Sequence, residues 1–408
     1  MSWMPGPCAV VVAALAFGAS VAHAQSSRAE ELERQRAEKS SQLKPYEPGR
    51  LERALLYIER EQPLVKLNPH NGFFVRYGYT DRPTGAGIGF GGGYRHDLFD
   101  RTARVELEGG ITFRNYDLVR ADFSLPYLAD ERVELGVETS WRRHPQEDYY
   151  GPGDNSLEDN RVSYLFKGPR VLGRAIGRPL PWLTTGARVG WIAPTIDSGT
   201  DSRFPSIEDL FTDLDAPGLV AQPDFRYTDI FGAVDYRDQP RNARSGGYYA
   251  LTWSNYADLD FDRYGFRSLD LHLQQFLPVF DKKRVFALQA RVIETTTDDG
   301  DQVPFYFQPT IGGSTTVRGF ADYRFRDEKA MYMNVEYRWE VFSGLDMALF
   351  SDWGKVASAD DDLDFKDLKH GYGVGFRLNT YKNVFFRFDI GGGGGEGVHY
   401  FVKYSRFF

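Results

Sequence analysis

Residues 331–341 read MYMNVEYRWEV. Met331, Met333, Val335, Tyr337, Trp339 and Val341 share one parity, and Tyr332, Asn334, Glu336, Arg338 and Glu340 share the other. A period of two belongs to a β-strand, whose successive side chains point to opposite faces. Here one face is apolar throughout and the other carries charges of both signs in mid-strand. The pattern recurs in residues 103–113, where Ala103, Val105, Leu107, Ile111 and Phe113 alternate with Arg104, Glu106, Glu108 and Thr112. It recurs again in 133–142, where Val133, Leu135, Val137 and Trp141 alternate with Glu134, Glu138, Ser140 and Arg142. Strands of soluble sheets cluster near five or six residues. These runs reach about eleven to fourteen, the length a tilted membrane-crossing strand needs.

The expected fold class is all-β: a closed antiparallel transmembrane β-barrel of about 16 strands, preceded by a short helical extension. The first eight strands are expected at 71–80, 84–96, 101–114, 115–126, 130–143, 161–171, 180–194 and 225–237. The second eight are expected at 246–257, 263–277, 283–297, 329–342, 343–356, 369–380, 381–391 and 397–408. The connections test this count separately. After odd-numbered strands they are often long (144–160, 195–224, 298–328, 357–368). After even-numbered ones they are mostly short (97–100, 127–129, 278–282, and the Phe342–Ser343–Gly344 turn). Long extracellular loops and short periplasmic turns give that asymmetry. A mean hydropathy of −0.45 excludes a bundle of membrane helices but not a barrel, whose lumen-facing residues dilute the signal. A net charge of −8 argues against a nucleic-acid partner, which favours basic patches.

The N-terminus reads as a targeting segment. The apolar stretch AVVVAALAFG at 9–18 is followed by Ala22-His23-Ala24, an A-x-A cleavage site. Residues 1–24 are therefore expected to be a signal peptide and 25–70 a helical periplasmic extension or plug, with the barrel at 71–408. The only cysteine, Cys8, lies in the segment removed. Within the extension, Leu51, Leu55 and Ile58 line one face of a helical pattern with charges opposite. A stripe of this kind needs a surface, and the periplasmic mouth is the expected one. The expected location is the outer membrane of a Gram-negative cell, with its lipids as neighbours.

The 298–328 connection contains the cluster GGSTTVRGF at 312–320. It is too long for a hairpin, and connections of this length are uncommon unless they are functional or disordered. Folded back into the lumen, Arg318 needs an anionic partner. In FSDWGKV, Phe350, Asp352 and Gly354 have the lumen parity. Asp352 is the first candidate partner and Glu336, also lumen-facing, the second. Gly319 allows a tight turn after the arginine, and Gly354 leaves room on the wall.

These residues carry a resemblance. Val317-Arg318-Gly319-Phe320 resembles the sixth-loop signature of the BamA/TamA family of outer-membrane proteins, the bacterial surface antigen family. Phe350-x-Asp352-x-Gly354 resembles the family's thirteenth-strand motif, which receives that arginine. Tyr149 to Ser156 (YYGPGDNS) is similar to a tyrosine-glycine loop of some members. The resemblance spans roughly 71–408 and implies a lock between loop and lumen made of Val317, Arg318, Gly319, Phe320, Asp352 and Gly354, with Glu336 in reserve. The last strand places Val398, Tyr400, Val402, Tyr404 and Phe408 on one face. It resembles the C-terminal signal by which outer-membrane barrels are recognised, so barrel-assembly machinery is the expected partner for the chain's own insertion. Family members that insert barrels or export polypeptides carry periplasmic POTRA domains of about seventy-five residues. Residues 25–70 are too few for one and helical in pattern, so a reduced form of the family's function is expected.

That function is protein assembly or translocation at the outer membrane, with no client named by the sequence. The alternatives are a passive or lipid-handling channel and a rim-active lipid hydrolase. No G-x-S-x-G, P-loop or zinc-helix motif is found, so an enzyme is not expected and no cofactor is implied. His144, His272, His370 and His399 have no metal-ligand spacing. The acidic run at 360–364 departs from a calcium loop, with Phe365 at the glycine position and Gly371 at that of the final glutamate. Gly391 to Gly395 is expected to be a flexible loop.

Overall fold

The computed structural model describes residues 30–31, 33–39, 47–61, 68–77, 85–358 and 363–404. The chain divides into two units, Met1–Arg50 and Leu51–Phe408. In the first, residues 33–39 are helical.

The second unit is built on one antiparallel sheet of seventeen strands. In chain order these are β1 (Gly72–Tyr77), β2 (Gly89–Leu98), β3 (Ala103–Thr112), β4 (Asp117–Tyr127), β5 (Val133–Tyr149), β6 (Val162–Leu180), β7 (Leu183–Ile192), β8 (Thr195–Ser198) and β9 (Phe225–Asp235). β10 (Gly246–Asp258), β11 (Phe266–Val279) and β12 (Arg284–Thr297) follow. The two-residue strands β13 (Thr310–Ile311) and β14 (Phe325–Arg326) form a separate ribbon. The sheet resumes with β15 (Lys329–Phe342), β16 (Leu345–Ala357), β17 (Lys369–Asn379), β18 (Val384–Gly392) and β19 (His399–Tyr404). Each sheet strand pairs with the next in this order, β12 with β15 across the long connection, except that β8 pairs with β6 and β7 with β9.

Seventeen sheet strands stand where sixteen segments are expected, because the wall of the seventh segment continues past its expected end at 194 into the expected 195–224 connection, as the separate strand β8. β7 and β8 both pair with β6, from Arg170↔Ile192 and from Lys167↔Thr195 respectively. Between them lie Ala193 and Pro194, and a proline has no N–H for a ladder. The break also needs Gly168 opposite it, where a Cβ would sit 2.0 Å from the Ala193 carbonyl oxygen. β5 runs further than expected, to Tyr149, past a register shift between His144 and Glu147. β6 continues to Leu180 through Gly168-Pro169 and Gly177, residues that read as breaks when only local propensity is considered.

The sheet is polar on its inner face and apolar on its outer face. Leu107, Val119, Val137, Val189, Leu251 and Leu349 are exposed, while Glu108, Asp229, Glu336 and Asp389 are buried. Contiguous exposed apolar surface on this scale requires an apolar surround. Among the described residues no helix is long and apolar enough to cross a membrane; here the strands present the apolar face. On the inner face, charges pair across neighbouring strands. Arg174 bonds Asp122 and Glu134, Arg188 bonds Asp229, and Arg291 bonds Asp270. Such cross-strand pairs add to sheet stability and leave few carboxylates alone in a restricted space.

The helix Arg50–Glu61 rests on two short turns of the sheet. Leu55 is buried beside Gly344, where a Cβ would lie 2.8 Å from the Leu55 Cβ. The Tyr381 N–H donates to Glu59 Oε1 at 3.1 Å. The contacting residues are Leu55 and Glu59 with Glu52 buried alongside, whereas Leu51 is exposed and Ile58 half-buried. The apolar stripe is thus rotated from the one expected. A helix laid across two turns is held by the residues that meet those turns and leaves the rest of its apolar stripe in the open.

Candidate functional site: a loop locked into the inner wall

The 298–328 connection returns to the sheet as a folded unit. Its entry is a single 3-10 turn at Phe305–Phe307, and its β13–β14 ribbon pairs Ile311 with Phe325. The hairpin between them turns at Gly312 and Gly313, with φ of 107° and 93°, a region that residues with a Cβ rarely adopt. Thr316 Oγ1 accepts from the Gly312 N–H at 2.8 Å and donates back to its carbonyl at 2.9 Å. This turn presents Arg318 to the wall.

Arg318 is 2% exposed. Its Nε donates to Asp352 Oδ2 at 2.7 Å and its Nη2 to Asp352 Oδ1 at 2.7 Å, a bidentate fork. Its backbone N–H adds a third bond to Asp352 Oδ2 at 3.1 Å. Nη1 donates to Glu336. The guanidinium carbon lies 3.5 Å from the centroid of the buried Phe350 ring, a cation–π contact. Asp352 and Glu336 therefore both bind the arginine, from neighbouring strands. Asn334 Nδ2 completes the Asp352 shell at 2.8 Å.

The lock extends beyond these residues. Arg377 Nη2 donates to both Glu336 oxygens at 3.0 and 3.1 Å, and its Nη1 to Asp389 at 3.1 Å. Arg338 Nε donates to Glu336 Oε2 at 2.7 Å, and Arg387 Nε donates to Asp389. Four strands, β15 to β18, thus supply one ion network around the loop arginine. Burying charge is costly unless it is paired and hydrogen-bonded on most sides, and the network meets that condition.

Three glycines make room for the loop backbone. A Cβ on Gly391 would lie 2.0 Å from the Arg318 carbonyl oxygen, and one on Gly371 2.4 Å from the Gly319 nitrogen. One on Gly354 would lie 2.9 Å from Val317 Cγ2. Gly391 and Gly392 belong to β18, so the flexible loop expected at 391–395 begins two residues later. Val317 and Phe320 are buried with Ile311, Phe325, Tyr332 and Val356.

Two more arginines hold the loop from the side of the long connections. Arg324 Nε donates to Glu396 at 2.8 and 3.0 Å, and its Nη2 to the Ser156 carbonyl at 2.7 Å. Burial raises the Glu396 carboxyl above its ordinary range even with Arg324 beside it. Arg326 Nη1 donates to the Phe305 carbonyl at 2.5 Å and Nη2 to the Tyr164 hydroxyl at 3.3 Å. The Gly153 N–H donates to the Arg326 carbonyl at 2.8 Å. The Tyr149–Ser156 segment is therefore a wall for the loop.

The Omp85 superfamily domain matches residues 98–391. This chain belongs to the Omp85 superfamily. It is an outer-membrane β-barrel protein of the kind that includes BamA. Among solved structures, BamA from Haemophilus ducreyi lacking POTRA domains 1-3 is similar at a TM-score of 0.61 and 14% identity, over 83% of this chain and 70% of that one. CdiB from Escherichia coli is similar at a TM-score of 0.49 and 15% identity, over 79% of this chain and 58% of that one. No curated protein matches the sequence.

This Omp85 chain carries a second crossing at the opposite end of the sheet. The β9–β10 connection, residues 236–245, leaves its own hairpin and meets the β17–β18 turn. Asn242 Nδ2 donates to the Thr380 carbonyl at 2.8 Å, and the Val384 N–H donates to the Arg241 carbonyl at 3.3 Å. Arg244 Nη2 reaches Asp346 at 2.8 and 2.9 Å. Four strands (β11, β12, β15 and β16) separate β10 from β17 along the ladder. The segment is therefore a crossbar and not a turn along the wall. At its base, burial alone would raise the Asp238 carboxyl. The N–H groups of Arg244 and Ser245 and the Lys282 ammonium outweigh that and hold it at about 2.

Of the terminal strand, Tyr400, Val402 and Tyr404 are exposed on the outer face, and Phe408 lies outside the described residues. Sequence reasoning missed Arg377, Arg387, Asp389, Arg324, Arg326 and the crossbar. A signal existed for the first: Gly371, Gly373, Gly375 and Arg377 share one parity, which marks a wall that something approaches closely.

Proposed function

We propose that this Omp85 chain forms a closed barrel of sixteen staves, with β7 and β8 counting as one, and that it acts in protein insertion or translocation and not as a passive channel. The observation that carries the reading is Arg318 buried among Asp352, Glu336 and Phe350. It ties the 298–328 connection inside the sheet and makes it a lid. A conduit does not need a buried ion network to hold a loop in its path, and the crossbar lies across the other end. In this reading residues 1–24 are a cleaved signal, 25–70 a periplasmic extension whose helix narrows the mouth, and the terminal strand with Phe408 the end recognised during insertion. We place the seam that closes the barrel between β1 and β19.

The test is reconstitution of the full mature chain into liposomes of outer-membrane lipids, with an unfolded client barrel added. Faster client folding than in empty liposomes is expected, together with low ion conductance in planar bilayers. A large, steady conductance without any effect on a client would overturn the proposal and favour the channel.

A second reading rests on one contact. Ser351 Oγ and His370 Nε2 lie 2.8 Å apart on the outer face, with Trp353 stacked on the imidazole. A Ser–His pair facing lipid is the arrangement a rim-active hydrolase would use, although among the described residues no carboxylate is bonded to His370. Release of fatty acid from the same liposomes, lost in Ser351→Ala, would favour it.

A further inference from the structure

The lock has more cations than anions. Arg318, Arg338, Arg377 and Arg387 face the three carboxylates Glu336, Asp352 and Asp389. The surplus is not spread evenly. Arg318 and Arg377 are 2% and 3% exposed and use both Nη groups on carboxylates. Arg338 and Arg387 are each 23% exposed. Arg338 commits only Nε, to Glu336, and neither of its Nη groups has an acceptor among the described residues. Arg387 commits Nε to Asp389 and reaches Glu336 only loosely, at 3.4 Å. Lys403 stands directly opposite Arg387 in the β18–β19 ladder, a like-charge pairing that a sheet normally avoids.

These spare donors line a cavity of about 330 Å³. Around them its wall carries the hydroxyls of Ser314, Thr315 and Tyr332 and the amides of Gln274 and Gln289, whose Nε2 groups donate to Gln289 and Asn334 respectively. Of the other charged groups in the wall, Arg291 is balanced by Asp270 behind it, and Glu336, the one carboxylate that lines the cavity, stands against Arg318, Arg338 and Arg387. A net positive wall with uncommitted guanidinium donors selects an oxyanion, since planar donor forks match phosphate and carboxylate oxygens. A halide would leave most of this volume, and the Ser314 hydroxyl that has no partner among the described residues, unused.

We propose that the cavity beneath the loop is a binding site for a phosphate group, free or as a monoester, with Arg338 and Arg387 holding the phosphate and the hydroxyl groups around them holding any polar substituent. Two sources share that chemistry: free phosphate and a phosphorylated polyol. The site is independent of whether the protein acts on a client.

The test is thermal unfolding of the purified mature chain in detergent, at fixed ionic strength, with chloride exchanged for inorganic phosphate or for glycerol phosphate. Binding to the native state raises the unfolding temperature, so a rise of several degrees over chloride is expected, with broadening of the phosphorus NMR signal of the ligand. A larger rise with glycerol phosphate assigns the site to a phosphorylated polyol, and equal rises assign it to phosphate itself. Arg338→Gln, whose amide can still donate to Glu336, should lose the rise while protease resistance of residues 300–328 is retained. Arg387→Gln provides the second check. No phosphate-specific rise in the parent chain, or a rise that persists in both variants, overturns the proposal.

Discussion

Two segments cross the interior of this sheet from opposite ends, and they are held by different physics. The 298–328 loop is held by charge. Arg318 and Asp352 are essentially without solvent, and four strands contribute to the network around them. The 236–245 crossbar is held by backbone and amide hydrogen bonds to the β17–β18 turn and by the Arg244–Asp346 pair, with the Lys282–Asp238 pair closer to water. A buried ion pair is weak evidence for net stability, because desolvation offsets attraction, but breaking one by removing a partner strands the other charge. A neutral hydrogen bond contributes less and is forgiving when lost. The loop should therefore respond to single substitutions almost all-or-none, and the crossbar gradually.

The largest effect is expected at the lock. Arg318→Ala and Asp352→Ala should each destabilise the seated loop by roughly 3–5 kcal/mol. The double variant should lose much less than the sum, since neither charge is then stranded. Protease accessibility of residues 300–328 from outside intact cells reads this out. Additive, near-zero effects would mean that Arg318 is solvated. If Glu336 alone suffices as a partner, Arg318→Ala will be severe and Asp352→Ala mild.

Next comes steric eviction without any change of charge. Gly391→Ala places a methyl 2.0 Å from the Arg318 carbonyl. Overpacking of this kind costs about 1–3 kcal/mol, and here the loop can escape by lifting. Raised protease cleavage of the loop with an unchanged heat-modifiable barrel is expected. A fully protected loop in this variant would show that the backbone of β18 yields instead.

A smaller effect is expected at the crossbar. Asn242→Ala removes the bond to Thr380, about 1 kcal/mol. Faster hydrogen exchange in residues 239–245 is expected, with the loop at the far end unaffected. Coupled loosening of residues 312–320 would contradict the independence of the two crossings.

The smallest effect is one of pH. The Asp238 carboxyl is held at about 2 in the folded chain against an ordinary 3.8. A depressed acid contributes stability above its unfolded value, and that contribution is lost as pH falls from about 4 through about 2. Exchange protection at the crossbar base should fall across that window. Protection that holds steady to pH 2, or Asp238→Asn behaving as the parent at pH 7, would show that the carboxylate is not the anchor.

The sequence alone determined which side chains share a face. Alternation is local: two residues advance the strand by one pleat, so Glu336, Arg338, Asp352 and Arg377 could be placed on the inner face from parity, and the position of the 298–328 connection after an odd strand followed from counting. The Val317-Arg318-Gly319-Phe320 cluster and Asp352 were legible for the same reason, because each is a short pattern on one strand or turn. What no local pattern contains is register between strands far apart in the chain. Only the tertiary structure decided that Arg377, Arg387 and Asp389 converge on Glu336, that Gly371 and Gly391 face the loop backbone, and that residues 236–245 reach the β17–β18 turn. It also decided that the ladder on β6 resumes beyond Pro194 as β8, with Gly168 of β6 opposite the interruption. Parity is a property of one strand, whereas an ion network or a crossbar depends on distances set by every ladder between its parts.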